Sequence, residues 1–313
     1  MSLLAKRSGG AISDNAKKRL NALRSYPTLD SWRNPLTRGI ARHFAHESWL
    51  NALQEIDFEY RLSDLEISEV PCLHYETRST RHDHDLILYV HGGAFVAGSP
   101  RVNASMILPT CELSGIEAIG VDYSLLPEAH FPVALDQVDA VYRALLSENE
   151  NRRIFVLGDS AGGCIVLSNL MRWRRENLKL PAGAVFISPA IDGAGASDTH
   201  ITNDESDPLI KSQGGKGLRQ LFEYYAPGMD LKDPRVSPIY GDFDGLPPLL
   251  VHAGTREVCL GDAARLSENA RRRSVPVSLR VFDGMFHLFH MHWSLIEAKR
   301  AHEDIAAFLN DLS

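Results

Sequence analysis

The residues of this sequence best suited to do chemistry surround Ser160, in the stretch GDSAG (158–162). An apolar run (154–158) leads into this stretch and a helix-compatible run (164–173) follows it. A serine held at such a strand-to-helix bend can act as a nucleophile, because flanking glycines let the chain pass without a clash and the helix begins with amide N–H groups. A glycine-rich turn with no catalytic role would look the same, so the motif alone leaves both interpretations open.

A second glycine-rich stretch, HGGAF (91–95), directly follows the apolar run LILYV (86–90). Glycines after a strand free backbone N–H groups to point at a ligand. An ester carbonyl that becomes a tetrahedral oxyanion needs such donors. This stretch is therefore a candidate oxyanion-binding loop, and an ordinary turn is the alternative.

A nucleophilic serine also needs a base, and three histidines follow the last apolar run, VSLRVF (277–282). They are His287, His290 and His292. His287 comes first after the run, so we take it as the candidate base, although a histidine is more often a surface or core residue.

The imidazole of such a base is oriented by a carboxylate, which should follow the preceding apolar run, PLLVHAG (248–254). Glu257 comes first after that run and Asp262 second. Either could instead be a solvated helix-capping charge, Asp262 above all. The chain order would be serine, acid, histidine.

Short apolar runs with β-branched residues recur along the chain and predict strands buried on both faces. These runs are residues 86–90, 116–121, 154–158, 184–188, 248–254 and 277–282. Helical patterns separate them, for example at 132–146, 261–272 and 293–309. The alternation predicts an α/β fold with a mostly parallel central sheet flanked by helices, in which ligands bind beyond the carboxyl ends of the strands.

Two segments stand outside this alternation. The first 50 residues are polar and helical in character, and residues 192 to about 245 are too long and too polar for a simple connection. We expect the second segment to hold one or two short helices, for example around 215–226, and to lie over the ligand-binding edge of the sheet.

Composition narrows the class of protein and its partners. The net charge of −7 and the lack of a basic patch argue against nucleic acid. No stretch reaches the roughly 18 apolar residues of a membrane span, and the N-terminus does not read as a signal peptide. The four scattered cysteines fit neither a metal site nor a disulfide framework, so we expect buried free thiols and a cytoplasmic protein.

The stretches together resemble the hormone-sensitive-lipase-like family of α/β-hydrolases, in its bacterial family IV esterase branch. The similar segments run in family order and cover roughly residues 85 to 290. They are HGGAF (91–95), DYSLLPEAHFPVAL (122–135), GDSAGG (158–163), SPIYGDFDGLPP (237–248), GTREVCLGD (254–262) and DGMFHLF (283–289). The resemblance implies an α/β-hydrolase catalytic domain at 51–191 and 236–313, and a helical cap made of 1–50 and 192–235.

The resemblance also assigns residues. The family's nucleophile, acid and base positions hold Ser160, Glu257 and His287, and its oxyanion-hole amides fall at Gly92, Gly93, Ala94 and Ala161. Three positions depart from the family pattern. Ala94 replaces a glycine, Ser124 replaces an arginine, and Glu257 replaces the more common aspartate, which keeps Asp262 open as the acid. The role of Asp159 is not apparent from the sequence.

The activity implied is that of a serine carboxylesterase on short- to medium-chain acyl esters, without cofactor or metal. Phe95, Trp32 and Phe222, with Phe44 and Tyr225, are candidate pocket residues, and ordinary cap packing is the alternative for each. An amide or N-acyl deacylase would use the same triad, and a non-catalytic receptor would have lost it. Family members often form dimers through the edge at the last strand, which makes VSLRVF (277–282) a candidate contact. Because neutral His287 is required, kcat/KM should fall below about pH 6.5.

Overall fold

The computed structural model describes residues 6–8, 12–23, 26–81, 85–148 and 152–312. Its strands form one nine-stranded sheet in the order β1-β9-β8-β7-β6-β4-β5-β3-β2. In chain order the strands are β1 (Lys6–Ser8), β2 (Tyr60–Ile67), β3 (Val70–Thr77), β4 (Asp85–Val90), β5 (Glu117–Val121), β6 (Arg153–Asp159), β7 (Gly183–Ile187), β8 (Leu249–Gly254) and β9 (Val277–Phe282).

Helices lie along the chain between these strands, as the sequence predicts. They are α1 (Asp14–Leu23), α2 (Leu29–Arg33), α3 (Arg38–Leu53), α4 (Leu108–Ser114), α5 (Val133–Glu148), α6 (Ala161–Arg175), α7 (Thr199–Thr202), α8 (Lys216–Tyr225), α9 (Leu260–Arg272) and α10 (Ile296–Asp311). The helix expected around 215–226 is α8. None of the helices in the described ranges has the length and apolarity needed to cross a bilayer.

The centre of the sheet is parallel, and β4, β6, β7 and β8 are buried along most of their length. Their apolar side chains face helices on both sides, which explains why these strands are continuous apolar runs without alternation. All six predicted strands are present. The β9 strand begins and ends at the predicted residues, and the other five differ by one residue at one or both ends.

Three further strands are absent from the sequence prediction. β2 and β3 form an antiparallel hairpin joined at Ser68 and Glu69, and β3 pairs antiparallel with β5. β1 pairs parallel with β9 at Arg280–Phe282. Residues 6–8 thus belong to the sheet, although they precede the helical segment. They also occupy part of the edge of β9 that the family resemblance suggests for a dimer contact.

All four cysteines are buried and none forms a disulfide, as predicted. Burial raises the pKa of the Cys72 thiol to about 12, so it stays protonated near neutral pH.

Candidate active site

The candidate residues lie where the parallel strands end. The loop that starts at His91 follows β4, Ser160 follows β6, Glu257 follows β8 and His287 follows β9. Because neighbouring parallel strands present their carboxyl ends at one edge, residues far apart in the chain meet there. The order of strands in the sheet is what brings the serine, acid and histidine together.

Ser160 occupies a tight turn between β6 and α6, with φ 49° and ψ −117°. Its backbone N–H donates to the carbonyl of Ile187 at 2.9 Å. Gly162 lets α6 pass close to β4, since a Cβ there would lie 2.0 Å from the carbonyl oxygen of Val90. A positive φ at a non-glycine residue costs about 1–3 kcal/mol and persists only where the surrounding packing enforces it.

Three side chains form a continuous hydrogen-bonded row at this edge. Ser160 Oγ lies 3.0 Å from His287 Nε2, and His287 Nδ1 lies 3.2 Å from Glu257 Oε2. All three are buried. A carboxylate only accepts, so His287 Nδ1 carries the proton and Nε2 is free to accept the hydroxyl proton of Ser160.

Glu257 is fixed through its other oxygen. Oε1 accepts the hydroxyl proton of Ser188 at 2.9 Å and the N–H of Gly254 at 2.6 Å. Ser188 Oγ also accepts the N–H of Leu288 at 3.4 Å, which joins the acid to the residue after His287. The carboxylate therefore has one oxygen left for the imidazole.

The pKa of His287 is raised above its ordinary value. Burial alone would lower it, but the hydrogen bond and charge of Glu257, with the charges of Asp207 and Asp159, favour the imidazolium and prevail. Asp207 was missed by the sequence analysis. It is buried, which raises its pKa to about 6, and it accepts the N–H groups of Leu209, Ile210 and Val258, each at 3.0 Å. No motif marks it, because it lies in the long polar segment.

Three successive residues of the loop after β4 have positive φ angles, which orient its backbone amides. Gly93, Ala94 and Phe95 have φ of 116°, 57° and 58°. At Gly93 a Cβ would lie 1.9 Å from the carbonyl oxygen of Ala97, so only glycine fits. The Ala94 backbone adopts the conformation that favours the glycine it replaces. Gly93, Ala94 and Ala161 all border the same pocket as Ser160. Ala161 is also the first residue of α6, where the N–H lacks an intrahelical acceptor.

The expectation that the Gly92 amide faces the same site is wrong. Its N–H donates to Asp159 Oδ2 at 3.0 Å and is not available to a substrate oxygen. This contact gives Asp159 a structural role, which the sequence did not show. Its other oxygen, Oδ1, accepts the hydroxyl proton of Tyr89 at 2.8 Å. Burial raises the pKa of Asp159 to about 6. Asp159 thus ties the loop after β4 to the serine turn.

Asp262 is buried too, but it faces a different histidine. Its Oδ1 lies 2.9 Å from His200 Nε2, and its Oδ2 accepts the N–H groups of Ile191 and Asp192 at 2.8 and 3.1 Å. These contacts join α9 to the start of the polar segment. The geometry therefore brings Glu257, and not Asp262, to His287.

An apolar pocket of about 70 Å³ opens beside Ser160 and His287. The candidate residues Trp32, Phe95 and Phe222 line it. Other walls come from both segments outside the sheet and from the loop after β9. These residues include Tyr26, Leu29, Trp49, Leu209, Ile210, Leu218, Leu221, Leu288 and Met291. Of the remaining candidates, Phe44 is 44% exposed and packs edge-on against Tyr26, and Tyr225 stacks behind Phe95.

The N-terminal helices are held against the loop after β4 by Arg42 of α3. Its Nε donates to the carbonyl of Val96 at 2.6 Å, and its Nη2 donates to the carbonyl of Leu126. The guanidinium also pairs with Glu128 at 3.1 Å. The wall of the pocket is thus fastened to the loop that presents Gly93 and Ala94.

One group in the described residues has the donor types of a metal site: His74, Glu76 and Glu117 on β3 and β5. Arg152 pairs with Glu117, and Arg61 donates to Glu76 at 2.7 Å. These cations already supply the positive charge that a metal would bring. None of the three residues lines the pocket beside Ser160.

Comparison with known proteins identifies the family of the chain. The family model described as alpha/beta hydrolase fold matches residues 87–291. The chain is 36% identical over 234 residues to an acetyl-hydrolase of Streptomyces hygroscopicus, covering 74% of this chain and 77% of that protein. It is 35% identical over 231 residues to an esterase of Acinetobacter venetianus, covering 72% and 75%.

A solved structure gives the same result over nearly the whole length. An esterase from the bacterial hormone-sensitive lipase family superposes with a TM-score of 0.86 at 30% identity, covering 97% of this chain and 99% of that one. The predicted fold class is confirmed. The chain belongs to the α/β-hydrolase family, in its hormone-sensitive-lipase-like branch of bacterial esterases.

Proposed function

We propose that this esterase works through an acyl-enzyme formed on Ser160, with His287 as general base and Glu257 as the acid that orients it. The observation that carries the proposal is the row Ser160 Oγ–His287 Nε2–Glu257, with contacts of 3.0 and 3.2 Å beside an apolar pocket. Ser160 Oγ attacks the ester carbonyl carbon while His287 Nε2 takes the hydroxyl proton.

Each half of the reaction returns the proton. The tetrahedral intermediate expels the alcohol, which receives the proton from His287, and leaves the acyl group on Ser160. Water then attacks the acyl carbon and gives a proton to His287. Collapse of the second intermediate releases the carboxylic acid and returns the proton to Ser160 Oγ. Glu257 orients the imidazole and stabilises its charged form.

The oxyanion in both intermediates is bound by the backbone N–H groups of Gly93, Ala94 and Ala161. Two of these donors come from the loop after β4 and one from the start of α6, where the helix dipole also favours negative charge. Gly92 is left out of this set because its N–H is engaged by Asp159. Its contribution is to hold the loop in place.

The acyl group is expected to be short to medium, with short chains preferred. The apolar pocket of about 70 Å³ is far smaller than the roughly 300–1,000 Å³ typical of sites for drug-sized ligands. The relative named acetyl-hydrolase supports the same choice. We propose further that 1–50, apart from β1 in the sheet, and 192–235 form a two-part cap over 51–191 and 236–313, because Trp32 and Trp49 from one part and Leu209 and Phe222 from the other line the pocket.

A series of p-nitrophenyl acetate, butyrate and octanoate, with a matched anilide, tests the substrate class. We expect kcat/KM for acetate or butyrate to exceed that for octanoate by about tenfold or more, because longer chains do not fit the pocket. Faster turnover of the anilide would instead identify an amide or N-acyl deacylase. Saturable ligand binding without turnover of any substrate would identify a receptor.

The nucleophile is tested separately with Ser160→Ala. This variant should keep the wild-type circular dichroism spectrum and melting temperature and lose about 10⁴-fold or more in kcat. A folded Ser160→Ala protein that still hydrolyses the esters at a comparable rate would refute the assignment.

A further inference from the structure

His290 lies close to His287 in the chain but takes no part in the proposed reaction. It belongs to the short 3₁₀ turn Phe289–Met291 and is fully buried. The loop from β9 to α10 (283–295) contains no other helix or strand, and Leu288, directly before the 3₁₀ turn, has a left-handed conformation at φ 58°. The question is what holds this loop, and with it His287, in place.

The side chain of His290 starts a hydrogen-bonded chain that ends on the sheet and α10. His290 Nε2 lies 3.2 Å from His252 Nδ1 on β8, and His252 Nε2 lies 3.1 Å from Asp304 Oδ2 on α10. Arg280 on β9 donates its Nε to the same Asp304 oxygen at 2.9 Å. β8, β9 and α10 are thus joined at Asp304, and the His290 side chain connects the loop to this network through His252.

The proton positions along this chain follow from its end. The Asp304 carboxylate only accepts, so His252 carries its proton on Nε2, and its Nδ1 must accept. His290 therefore donates from Nε2, and its Nδ1 is left as a bare acceptor. Nδ1 of His290 is indeed a buried atom without a partner in the described part of the chain. With both imidazoles neutral, each of the other three ring nitrogens of His290 and His252 has a hydrogen-bond partner.

The backbone of the same residue is held from the other side. His302 on α10 donates from Nε2 to the carbonyl of His290 at 3.0 Å. Its Nδ1 accepts the hydroxyl proton of Thr110 on α4 at 2.9 Å. His290 is thereby bound through both its side chain and its main chain.

The surroundings keep these imidazoles neutral. Burial lowers the pKa of His252, lowers that of His290 well below its usual range, and lowers that of His302 to about 4. The charged or titratable groups around them are Asp304, Arg280, His287 and the three imidazoles themselves. Two phenylalanine rings complete the packing, with Phe289 4.0 Å from His290 and Phe282 5.2 Å from His252, between ring centroids.

We propose that His290 is a positioning residue for His287, and that the chain His290–His252–Asp304 together with His302 fixes the loop that presents the catalytic imidazole to Ser160. The anchor on the other side of the loop is different in kind. There His292 Nδ1 lies 3.4 Å from Glu55 and Ser294 donates its N–H to Glu55 at 3.1 Å, beyond the end of α3. This second anchor fastens the loop to the residues that follow α3 and not to the sheet.

The test is a set of substitutions measured with p-nitrophenyl butyrate. His290→Phe keeps the ring among its apolar neighbours but removes the donor to His252. We expect kcat to fall about tenfold to a hundredfold with KM within about threefold, since small displacements of a catalytic group cost about this much. His290→Gln, whose amide N–H can reach the position of Nε2, should recover most of kcat.

The matched control is Tyr142→Phe, which also removes one buried hydrogen bond, from the Tyr142 hydroxyl to the carbonyl of Lys179 at 2.8 Å. It should lower the melting temperature without changing kcat. If His290→Phe lowers only the melting temperature, or if His290→Gln is no better than His290→Phe, the proposal is wrong.

A second measurement does not depend on variants that fold. In the ¹⁵N-histidine spectrum of the wild-type protein near pH 7, His252, His290 and His302 should all appear as neutral tautomers with the proton on Nε2. A charged His290, or a proton on its Nδ1, would overturn the proposal. The inference rests on His287 being the base. If His287→Ala retains activity, the proposed function fails; if only His290→Phe retains wild-type kcat, this inference alone fails.

Discussion

Among the described residues, two buried pairs of a carboxylate and an imidazole have acids that are close neighbours in the sequence. Glu257 contacts His287 at 3.2 Å, and Asp262 contacts His200 at 2.9 Å. They differ in what the second ring nitrogen meets. His287 Nε2 faces the hydroxyl of Ser160 beside the pocket, whereas His200 Nδ1 is buried with no partner among the described residues. An acid beside a histidine is therefore not a site until a third group and a pocket complete it.

The charges around the two pairs differ as well. The groups that raise the pKa of His287 are all acids, Glu257, Asp207 and Asp159. Around His200 the acids Asp262 and Asp192 are countered by Arg265, which pairs with Asp192. Uncompensated negative charge favours an imidazolium that forms during a reaction. At the second pair Arg265 offsets part of the negative charge, and the pKa of His200 is still raised.

The largest difference should appear in activity. Glu257→Gln should lower kcat about 10⁴-fold, because the imidazole loses the carboxylate that sets its tautomer and stabilises its charge. Asp262→Asn should leave kcat within a few-fold of wild type under conditions where it is folded. Steady-state kinetics on p-nitrophenyl butyrate measure both. A large loss in Asp262→Asn with Glu257→Gln active would reverse the assignment of the acid.

The effect on stability should instead be large for Asp262→Asn, the variant with little effect on kcat. Asp262→Asn should lower the free energy of unfolding by about 3 kcal/mol, because it breaks a buried pair that also binds two backbone N–H groups. Urea unfolding followed by tryptophan fluorescence measures this, with the exposed Asp242→Asn as control. Equal midpoints for Asp262→Asn and wild type would contradict the structural role.

The pH dependence of that stability has a defined sign. The pKa of folded His200 is raised, since the contacts to Asp262 outweigh the effect of burial. Its charge therefore stabilises the fold fully below the unfolded pKa of about 6.5, and this contribution is lost as pH rises through the folded value. The gap in unfolding free energy between wild type and Asp262→Asn should narrow above that range, as urea curves at several pH values would show.

The smallest effect expected is a shift in the acid limb of kcat/KM. Because the pKa of His287 is raised, the limb should lie above pH 6.5, higher than the sequence alone suggested. Asp207→Asn removes one of the charges responsible and should move the limb to lower pH. Asp262→Asn should leave it in place. Identical limbs in wild type and Asp207→Asn would show that Asp207 does not act on the imidazole.

The sequence predicts the buried parallel strands well and the hairpin β2–β3 poorly, for a physical reason. A strand covered on both faces is a continuous apolar run, and such runs are visible without context. The hairpin mixes charged and apolar residues, and its turn uses Ser68 and Glu69 at φ 50° and 63°. Two-residue turns of this kind normally carry Asn or Gly, so the usual signal is missing.

The types of side chain at the candidate site and their order in the chain could be predicted from the sequence. Ser160, Glu257 and His287 follow strand ends and carry recognisable motifs. Residue type does not determine the orientation of a peptide plane. The hydrogen bond from the Gly92 N–H to Asp159 therefore could not be predicted from the sequence. Asp207 likewise reaches the site from a loop whose path depends on tertiary packing. Sequence patterns thus indicate the proposed reacting groups more readily than the residues that hold them in place.

The bridge from Asp159 to Gly92 and Tyr89 has a consequence for protein engineering. The turn at Ser160 and the loop after β4 form one hydrogen-bonded unit, although they follow different strands. Grafting the loop after β4 from another esterase would move the amides of Gly93 and Ala94 unless the graft keeps the N–H at position 92 facing Asp159. Library designs that vary residues 91–95 should therefore hold Gly92, Asp159 and Tyr89 constant, and seek new substrate range in the pocket walls.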